Sequence, residues 1–315
     1  WLTDCQWISH LSNNLKCLEL TGQTLKKIEG LCHLTNLQSL NLSYDGIKTI
    51  EGLSNLANLQ SLNLSFNYIE TIEGLSNLVN LKSLDLSFND DIKKIDGLAS
   101  LTNLISLNLR CNSIRIIEGI SQLNNLRILN LSFCHIRELK GIPDLRSIES
   151  LDLSGNKLSN IKGIFHLKTL KSLNLSQNYI REIPEMGELK QLQVLNLRRN
   201  QILEISGLSK LAHLRSLNIK ENLIFQIQGL GDLKNLEKLN LAKNCIHNIK
   251  GLSGLKGLKS LNLGYNLLTI NSTDPRLLPG SLQFDSLVSC RCSGIIRNRF
   301  YTGQLSDYRI CVIEC

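Results

Sequence analysis

Residues 59–80 read LQSLNLSFNYIETIEGLSNLVN, and near-copies of this stretch fill most of the 315-residue chain. The copies follow the pattern LxxLxLxxNxIxxIxGLxxLxN and recur every 22 residues, with one step of 23. A fixed period of this length indicates a linear array, in which each repeat is one coil that packs against its neighbours. Twelve coils begin at Leu15, Leu37, Leu59, Leu81, Leu104, Leu126, Ile148, Leu170, Leu192, Leu214, Leu236 and Leu258.

Each coil is predicted to contain one short strand and a compact return segment. Leu62 and Leu64 alternate with polar residues, which is typical of a strand. Stacked coils would place these strands in a parallel sheet on the concave side, about 4.8 Å apart. The Glu73-Gly74 step interrupts any long helix, so we expect a 3₁₀ turn or a short helix on the convex side. The predicted fold is an α/β solenoid, a horseshoe of about twelve coils. In coil three the predicted inward side chains are Leu59, Leu62, Leu64, Ile69, Ile72, Leu75 and Leu78.

An asparagine follows the strand in nine coils, and it is predicted to be structural. A buried amide must satisfy its donors and its acceptor, and the turning backbone beside it offers unpaired groups. We therefore expect a ladder of hydrogen bonds from side chain to backbone. Its members are Asn67, Asn89, Asn112, Asn156, Asn178, Asn200, Asn222, Asn244 and Asn266; Gln23, Asp45 and Cys134 are the departures.

The repeat resembles the SDS22-like class of leucine-rich repeats, whose namesake regulates protein phosphatase 1, over about 250 of the 315 residues. This resemblance implies a protein without an active site that binds another protein on its concave face. The expected function is a scaffold or regulatory subunit that is not an enzyme. The alternative is a secreted or cell-surface adhesion protein of the internalin type, because internalins share this repeat class. A protein phosphatase 1 regulator is a second alternative, although the expected concave face has few acidic residues (Glu19, Asp85 and Asp152).

Two groups of residues interrupt the monotonous Ser/Asn surface and are the candidate binding sites on the concave face. Aromatic residues share one position beside the asparagine ladder, and they either pack into a spine or form an exposed stripe for a partner. Basic residues on or near the later strands are either a solvated surface or a dock for an acidic protein segment. The aromatic group is Tyr44, Phe66, Phe88 and Phe133, and the basic group is Arg110, Arg198, Arg199, Lys220, Lys238 and Lys243.

The charge of the chain is uneven, and its composition argues against several other functions. The net charge is +8, and residues 170–259 alone hold 14 Lys+Arg against 7 Asp+Glu. Nucleic acid is an unlikely partner because most aromatic residues that could stack on bases lie away from the positive charge. The six histidines show no spacing typical of a metal site or a catalytic triad, so no cofactor, metal or small-molecule substrate is expected. The apolar residues never form the run of eighteen that a membrane-spanning helix requires.

The two ends of the chain depart from the repeat. Residues 1–14 are predicted to cap the solenoid of residues 15–270, and residues 271–315 form an irregular segment, a cap or a disordered tail. Four of the ten cysteines, Cys290, Cys292, Cys311 and Cys315, lie in that last segment. Free thiols are the first expectation for them, with a disulfide-bonded cap and a zinc site as alternatives. Single cysteines scattered through the coils favour a reducing compartment, the cytoplasm or the nucleus, over the extracellular alternative.

Overall fold

The computed structural model describes residues 8 and 10–268, together with the backbone of two short strands nearer the C-terminus. The chain divides into two compact units, Trp1–Thr169 and Leu170–Cys315. Of the predicted N-terminal cap, Ile8 is buried, whereas Trp7 and all residues before it lie outside the described residues. The four C-terminal cysteines likewise lie outside them, so their pairing stays a prediction.

The first unit contains one parallel sheet in which each strand comes from one coil. Consecutive strands pair residue by residue, so that Ser39, Ser61 and Ser83 are aligned across neighbouring strands. The register places every coil in the same orientation. The strands are β1 (Cys17–Glu19), β2 (Ser39–Asn41), β3 (Ser61–Asn63), β4 (Ser83–Asp85), β5 (Ser106–Asn108), β6 (Ile128–Asn130) and β7 (Ser150–Asp152).

The second unit repeats this arrangement with five parallel strands and ends differently. Two strands near the C-terminus continue the sheet, and each pairs in the antiparallel direction. The strand that pairs with the strand of the last coil therefore runs opposite to it. The strands are β8 (Ser172–Asn174), β9 (Val194–Asn196), β10 (Ser216–Asn218), β11 (Lys238–Asn240), β12 (Ser260–Asn262), β13 (Leu287–Val288) and β14 (Val312–Glu314), with β14 next to β12.

The core of each unit is a stack of apolar layers, as the repeat predicts. In coil three, all seven predicted inward side chains are 0–2% exposed. Burying a side chain of this size contributes roughly 1.5–3 kcal/mol, but a single coil has no partner for either face of its layer. Stability therefore comes from the contact between consecutive coils. This confirms the parallel-sheet repeat architecture.

The asparagine ladder is confirmed, and its hydrogen bonds join one coil to the preceding one. The Nδ2 of Asn67 donates to the carbonyl of Leu42 at 2.8 Å and to that of Leu64 at 3.1 Å. Its Oδ1 accepts the backbone N–H of Ile47 at 3.0 Å. Asn67 is 5% exposed, so these bonds satisfy groups that water does not reach.

Coil five shows how an inserted residue disturbs this ladder. The Oδ1 of Asn112 is buried and has no hydrogen-bond partner among the described residues. By analogy with the other coils, this Oδ1 would accept the N–H of Ile92. That N–H donates instead to the carbonyl of Asn89 at 2.9 Å. The extra residue within 89–92 closes this local turn and leaves one acceptor unused. An unsatisfied buried acceptor costs about 1–3 kcal/mol.

Two of the residues that replace the ladder asparagine still make part of its hydrogen bonds. The Oδ1 of Asp45 accepts the N–H of Leu25 at 2.9 Å, but burial raises the pKa of this carboxyl, and its Oδ2 has no partner. The thiol of Cys134 donates to the carbonyl of Leu109 at 3.4 Å. Burial raises the pKa of the Cys134 thiol to about 12, so it stays protonated and can act as this donor.

The return side of the coils consists mainly of single turns. Coil seven contains a 3₁₀ helix, Lys162–Ile164, but none of the described residues is in an α-helix. In coil three, the N–H of Leu78 bonds to the carbonyl of Leu75, and the N–H of Leu81 bonds to that of Leu78, both at 2.9 Å. These turns follow one another without overlapping. Each of these bonds closes a single turn of the 3₁₀ type, which is the first of the two expected structures. A short helix, the second, occurs among the described coils at Lys162–Ile164.

The recurring glycine is required because the backbone of the preceding coil lies against it. A Cβ on Gly74 would lie 1.7 Å from the carbonyl oxygen of Ile50, and Gly74 has a φ of +85°. Gly141 has a similar φ of +78°, yet nothing lies within 4 Å of its Cβ position. The glycines therefore share a left-handed conformation, but only some of them also make this close approach.

We expect Gly74→Ala to lower the free energy of unfolding by about 2 kcal/mol or more beyond the loss caused by Gly141→Ala. Both substitutions place a side chain in the left-handed region, which costs roughly 1–2 kcal/mol. Only Gly74→Ala also drives a methyl group into a carbonyl oxygen. Urea denaturation followed by circular dichroism measures the difference, and equal midpoints for the two variants would contradict this packing.

Candidate functional site

The exposed side of the sheet, which we call the sheet face, is lined by serine and asparagine. Ser61 and Asn63 are the outward residues of β3, and both are half-buried. The Oδ1 of Asn63 accepts the N–H of Ser65 at 2.9 Å, and the same bond recurs in most coils. The asparagines of the sheet face therefore hold the turn that follows each strand.

Two isoleucines interrupt this polar surface in the first unit. Ile128 replaces the usual serine on β6 and is 48% exposed, and Ile105, just before β5, is 38% exposed. The N–H of Ile128 bonds to the carbonyl of Ile105 at 3.0 Å, so the two residues are adjacent. Reasoning from the sequence missed them, although an isoleucine in the LRILN segment of coil six is a visible departure from SLN.

Ile105 also lines a shallow groove of about 630 Å³ before the strands. Its walls are mainly amides and two cationic side chains, Lys82 and Arg127. Asn80 donates to the carbonyl of Ala57 at 2.9 Å, and its neighbours in the same row make equivalent bonds. The groove is lined by Gln38, Asn58, Gln60, Asn80, Lys82, Asn103, Ile105, Asn125 and Arg127.

The predicted aromatic residues form a stack at the opposite end of the strands. The ring centroids of Tyr44 and Phe66, and of Phe66 and Phe88, are 4.1 Å apart, and the rings are within 10° of parallel. Each of the four aromatic residues has a positive φ of 54–60°, which turns its side chain toward the neighbouring coil. Tyr44 is 57% exposed and Phe133 is 36% exposed. The stack is thus both a structural spine and a partly exposed edge.

Arg110 completes this stack where the aromatic residue is missing. Coil five has Cys111 at the aromatic position, and the guanidinium of Arg110 lies 4.4 Å from the ring centroid of Phe133 and 5.8 Å from that of Phe88. A Cβ on Gly155, at the same position in coil seven, would lie 2.6 Å from the Phe133 ring. Arg110 therefore belongs to the aromatic group and not to the other predicted basic residues.

Four of the predicted basic residues converge on a carboxylate that the sequence reasoning overlooked. The Nη2 of Arg198 lies 3.0 Å from the Oε1 of Glu221, and the Nε of Arg199 lies 2.5 Å from its Oε2. The ammonium groups of Lys220 and Lys243 are each 3.7 Å from Oε1. We call these five residues the Glu221 cluster. Their spacing of 22 residues could have shown this grouping.

The remaining predicted basic residue, Lys238, is not part of the Glu221 cluster. It is exposed on β11 and makes none of these ion pairs. The nearby Lys259 and Arg215 instead flank Glu237, with N–O distances of 3.2 and 3.6 Å. The pairs around Glu237 are therefore separate from the Glu221 cluster.

The charges of the cluster determine the ionisation of Glu221. Burial acts to raise the pKa of this carboxyl, but hydrogen bonds and charge attraction from Arg199 and Arg198 outweigh it and lower the pKa to about 2. Glu221 is therefore ionised at neutral pH. Because its pKa in the unfolded chain is near the ordinary value of 4.5, this interaction stabilises the fold above that pH.

The described part of the chain contains neither a cluster of metal ligands nor a membrane-spanning helix. Within residues 8 and 10–268, no three His, Cys, Asp or Glu side chains come together in a group that could hold a metal ion. None of the helical segments described there has the length and apolar character needed to cross a membrane.

We expect Glu221→Gln to lower the stability of coils nine to eleven by about 1–3 kcal/mol at pH 7, because four cations lose their shared anion. The difference from the unchanged protein should shrink as the pH falls from 4.5 toward 2, where Glu221 itself becomes protonated. Hydrogen–deuterium exchange of the amides in residues 198–243 measures it. The control is Glu237→Gln, whose more exposed ion pairs contribute less than about 1 kcal/mol. An equal effect of both variants would contradict this account.

Comparison with known proteins identifies the repeat. Residues 142–277 match the model of a leucine-rich repeat region, and residues 57–100 match a model of two leucine-rich repeats. An internalin of Listeria monocytogenes, InlF, is 31% identical over 82% of this chain and 76% of its own, with a TM-score of 0.74. Internalin C2 of the same organism is 28% identical over 60% of this chain and 84% of its own, with a TM-score of 0.55.

A third similar structure is not an internalin. A TLR13–ssRNA13 complex is 25% identical over 79% of this chain and 39% of its own, with a TM-score of 0.68. A search of proteins with curated functions found no match. The SDS22-like class is not named by these matches and stays a prediction. From the repeat models and the likeness to InlF, the chain belongs to the leucine-rich repeat family.

Proposed function

We propose that this chain is a recognition module without catalytic activity, and that it binds a protein partner on the sheet face of its first unit. The observation that carries this proposal is the pair of exposed isoleucines, Ile105 and Ile128, on an otherwise polar surface. Exposed apolar side chains that are surrounded by polar ones form the typical centre of a protein interface.

The polar surroundings favour binding because their hydrogen bonds are already arranged. Asn108 and Asn130, on the strands beside the isoleucines, each accept a backbone N–H from two residues further on. These side chains lose little freedom when a partner covers them. Ordering flexible side chains costs about 0.5–1.5 kcal/mol each at an interface, and most of that cost is avoided here.

The groove and the aromatic stack extend the surface beyond the two isoleucines. Lys82 and Arg127 in the groove offer charges to a partner, and the edge of the Tyr44–Phe133 stack offers rigid apolar area. They flank the strands on opposite sides, so a partner that crosses the sheet face would contact both. Rigid aromatic residues are frequent in the parts of interfaces that contribute most energy.

The second candidate is a cell-surface recognition protein of the internalin type. The 31% identity with InlF favours it. The five free thiols of the described coils (Cys17, Cys32, Cys111, Cys134 and Cys245) favour the intracellular scaffold instead. The phosphatase-regulator alternative has less support, because the concave strands carry few acidic residues, namely Glu19, Asp85 and Asp152.

We expect Ile128→Ser to weaken binding of the natural partner about tenfold or more, since a buried isoleucine contributes roughly 1.5–3 kcal/mol. Serine occupies this position in the neighbouring strands β5 and β7, so the fold should accept the change. The measurement is quantitative affinity purification with mass spectrometry from the native source, using the full chain as bait.

The matched control for this experiment is Val79→Thr. Val79 is exposed on the return side, and Thr102 occupies the same position in the next coil. A partner that binds the sheet face is retained by Val79→Thr and lost by Ile128→Ser. Equal retention by both variants would show that the partner does not use this face.

The thiol state of the natural protein separates the two candidates. In an intracellular scaffold, all ten cysteines should react with an alkylating agent under denaturing, non-reducing conditions. In a surface protein, we expect Cys290, Cys292, Cys311 and Cys315 to be paired and protected. Mass spectrometry of the alkylated protein counts the modified residues, and a full count of ten would reject the surface candidate.

A further inference from the structure

The Glu221 cluster contains more positive charge than its carboxylate can neutralise. Arg198, Arg199, Lys220 and Lys243 contribute four positive charges, and Glu221 contributes one negative charge. The cluster thus has an excess of three positive charges within a few ångströms. Such a concentration of like charge attracts a further anion.

The cluster also has hydrogen-bond donors that Glu221 does not use. The ammonium groups of Lys220 and Lys243 lie 3.7 Å from Oε1, which is beyond hydrogen-bond distance. The Nε of Arg198 is buried and has no acceptor among the described residues. The two arginines therefore hold the internal carboxylate, while the two lysines have donors available for a second anion.

The cationic side chains are accessible from solvent. The side chains of Arg199 and Lys243 are 50% and 48% exposed, and that of Lys220 is 28% exposed, whereas Glu221 is 17% exposed. The Lys243 ammonium also lies 5.8 Å from the ring centroid of Tyr265, which helps to orient it. The carboxylate lies beneath its cations, so an incoming anion meets the lysines first.

We propose that the Glu221 cluster binds a phosphorylated side chain of the protein partner. This inference rests on the proposed function, because it assumes that the chain recognises a protein. The sequence favours a partner with an acidic segment, and the proposal specifies that the anion of this segment is a phosphoryl group. The contact with that group lies in the second unit.

The chemistry of the cluster favours a phosphoryl group over a partner's carboxylate. A carboxylate from a partner has one charge and two acceptor oxygens, which Glu221 already supplies from within the chain. A phosphoryl group has a charge of about −1.5 to −2 at pH 7 and three acceptor oxygens. It therefore offsets more of the excess charge and can accept bonds from both lysines without displacing Glu221.

The test is fluorescence anisotropy of the full chain with three labelled seven-residue peptides of one sequence. Their central residue is phosphoserine, glutamate or serine. We expect the phosphoserine peptide to bind about tenfold more tightly than the glutamate peptide, and the serine peptide to bind weakest. The double variant Lys220→Gln with Lys243→Gln should lose about tenfold or more of the affinity for the phosphoserine peptide.

The matched control is Lys210→Gln with Lys234→Gln, which removes the same charge from the return side of the same unit. It should change the affinity less than about twofold, because exposed distant charges are screened by salt. Thermal melting of both double variants checks that they remain folded. An equal loss in the two double variants would show attraction to net charge alone and would overturn the proposal.

Two further outcomes would also overturn it. One is equal affinity for the phosphoserine and glutamate peptides, because the site would then bind any acidic side chain. The other is displacement of the phosphoserine peptide by inorganic phosphate at a concentration equal to that of the peptide. The site would then recognise the free ion as well as the peptide. If Ile128→Ser releases the natural partner while the phosphoserine peptide fails to bind, the proposed function stands and only this inference fails.

Discussion

The hydrogen bonds of the buried asparagine amides are the interaction on which each unit depends. Asn67 uses its Nδ2 on carbonyl groups of its own coil and the preceding coil, and its Oδ1 accepts an N–H of the preceding coil. Leucine layers supply most of the free energy of burial, but apolar contact is not directional. The amide fixes the register in which the layers meet. Where it is replaced or displaced, as at Asp45 and Asn112, a buried oxygen has no partner among the described residues.

The same turn creates the position where the two units differ in chemistry. The residue before the ladder position has a positive φ in all twelve coils. In several coils its side chain contacts the equivalent residue of the next coil. In the first unit this position holds stacked rings, of which Phe66 is the centre. In the second unit it holds Arg199, Glu221 and Lys243, which form ion pairs. One backbone geometry therefore produces an apolar edge in one unit and a charged cluster in the other.

Much of the fold could be predicted from the repeat because each coil meets nearly identical neighbours. The strands, the buried apolar positions and the asparagine ladder all follow from a single coil. The return side was predicted less precisely, since a 3₁₀ turn and a short helix were both expected. Its bonds link Leu75, Leu78 and Leu81 in successive single turns. A short helix would also need carbonyl groups between those leucines to accept hydrogen bonds, and the spacing of residue types does not specify whether they do.

The sequence by itself determined the coil, its period and the residues that face inward, because the spacing of leucine and asparagine admits one register. It also identified Arg198, Arg199, Lys220 and Lys243 as unusual. Only the tertiary structure showed that these four surround Glu221, and that Arg110 lies instead between Phe88 and Phe133. The physical reason is that side chains 22 residues apart become neighbours only when coils stack. Their rotamers and charges then decide which of them pair, and a list of residue types does not contain that geometry.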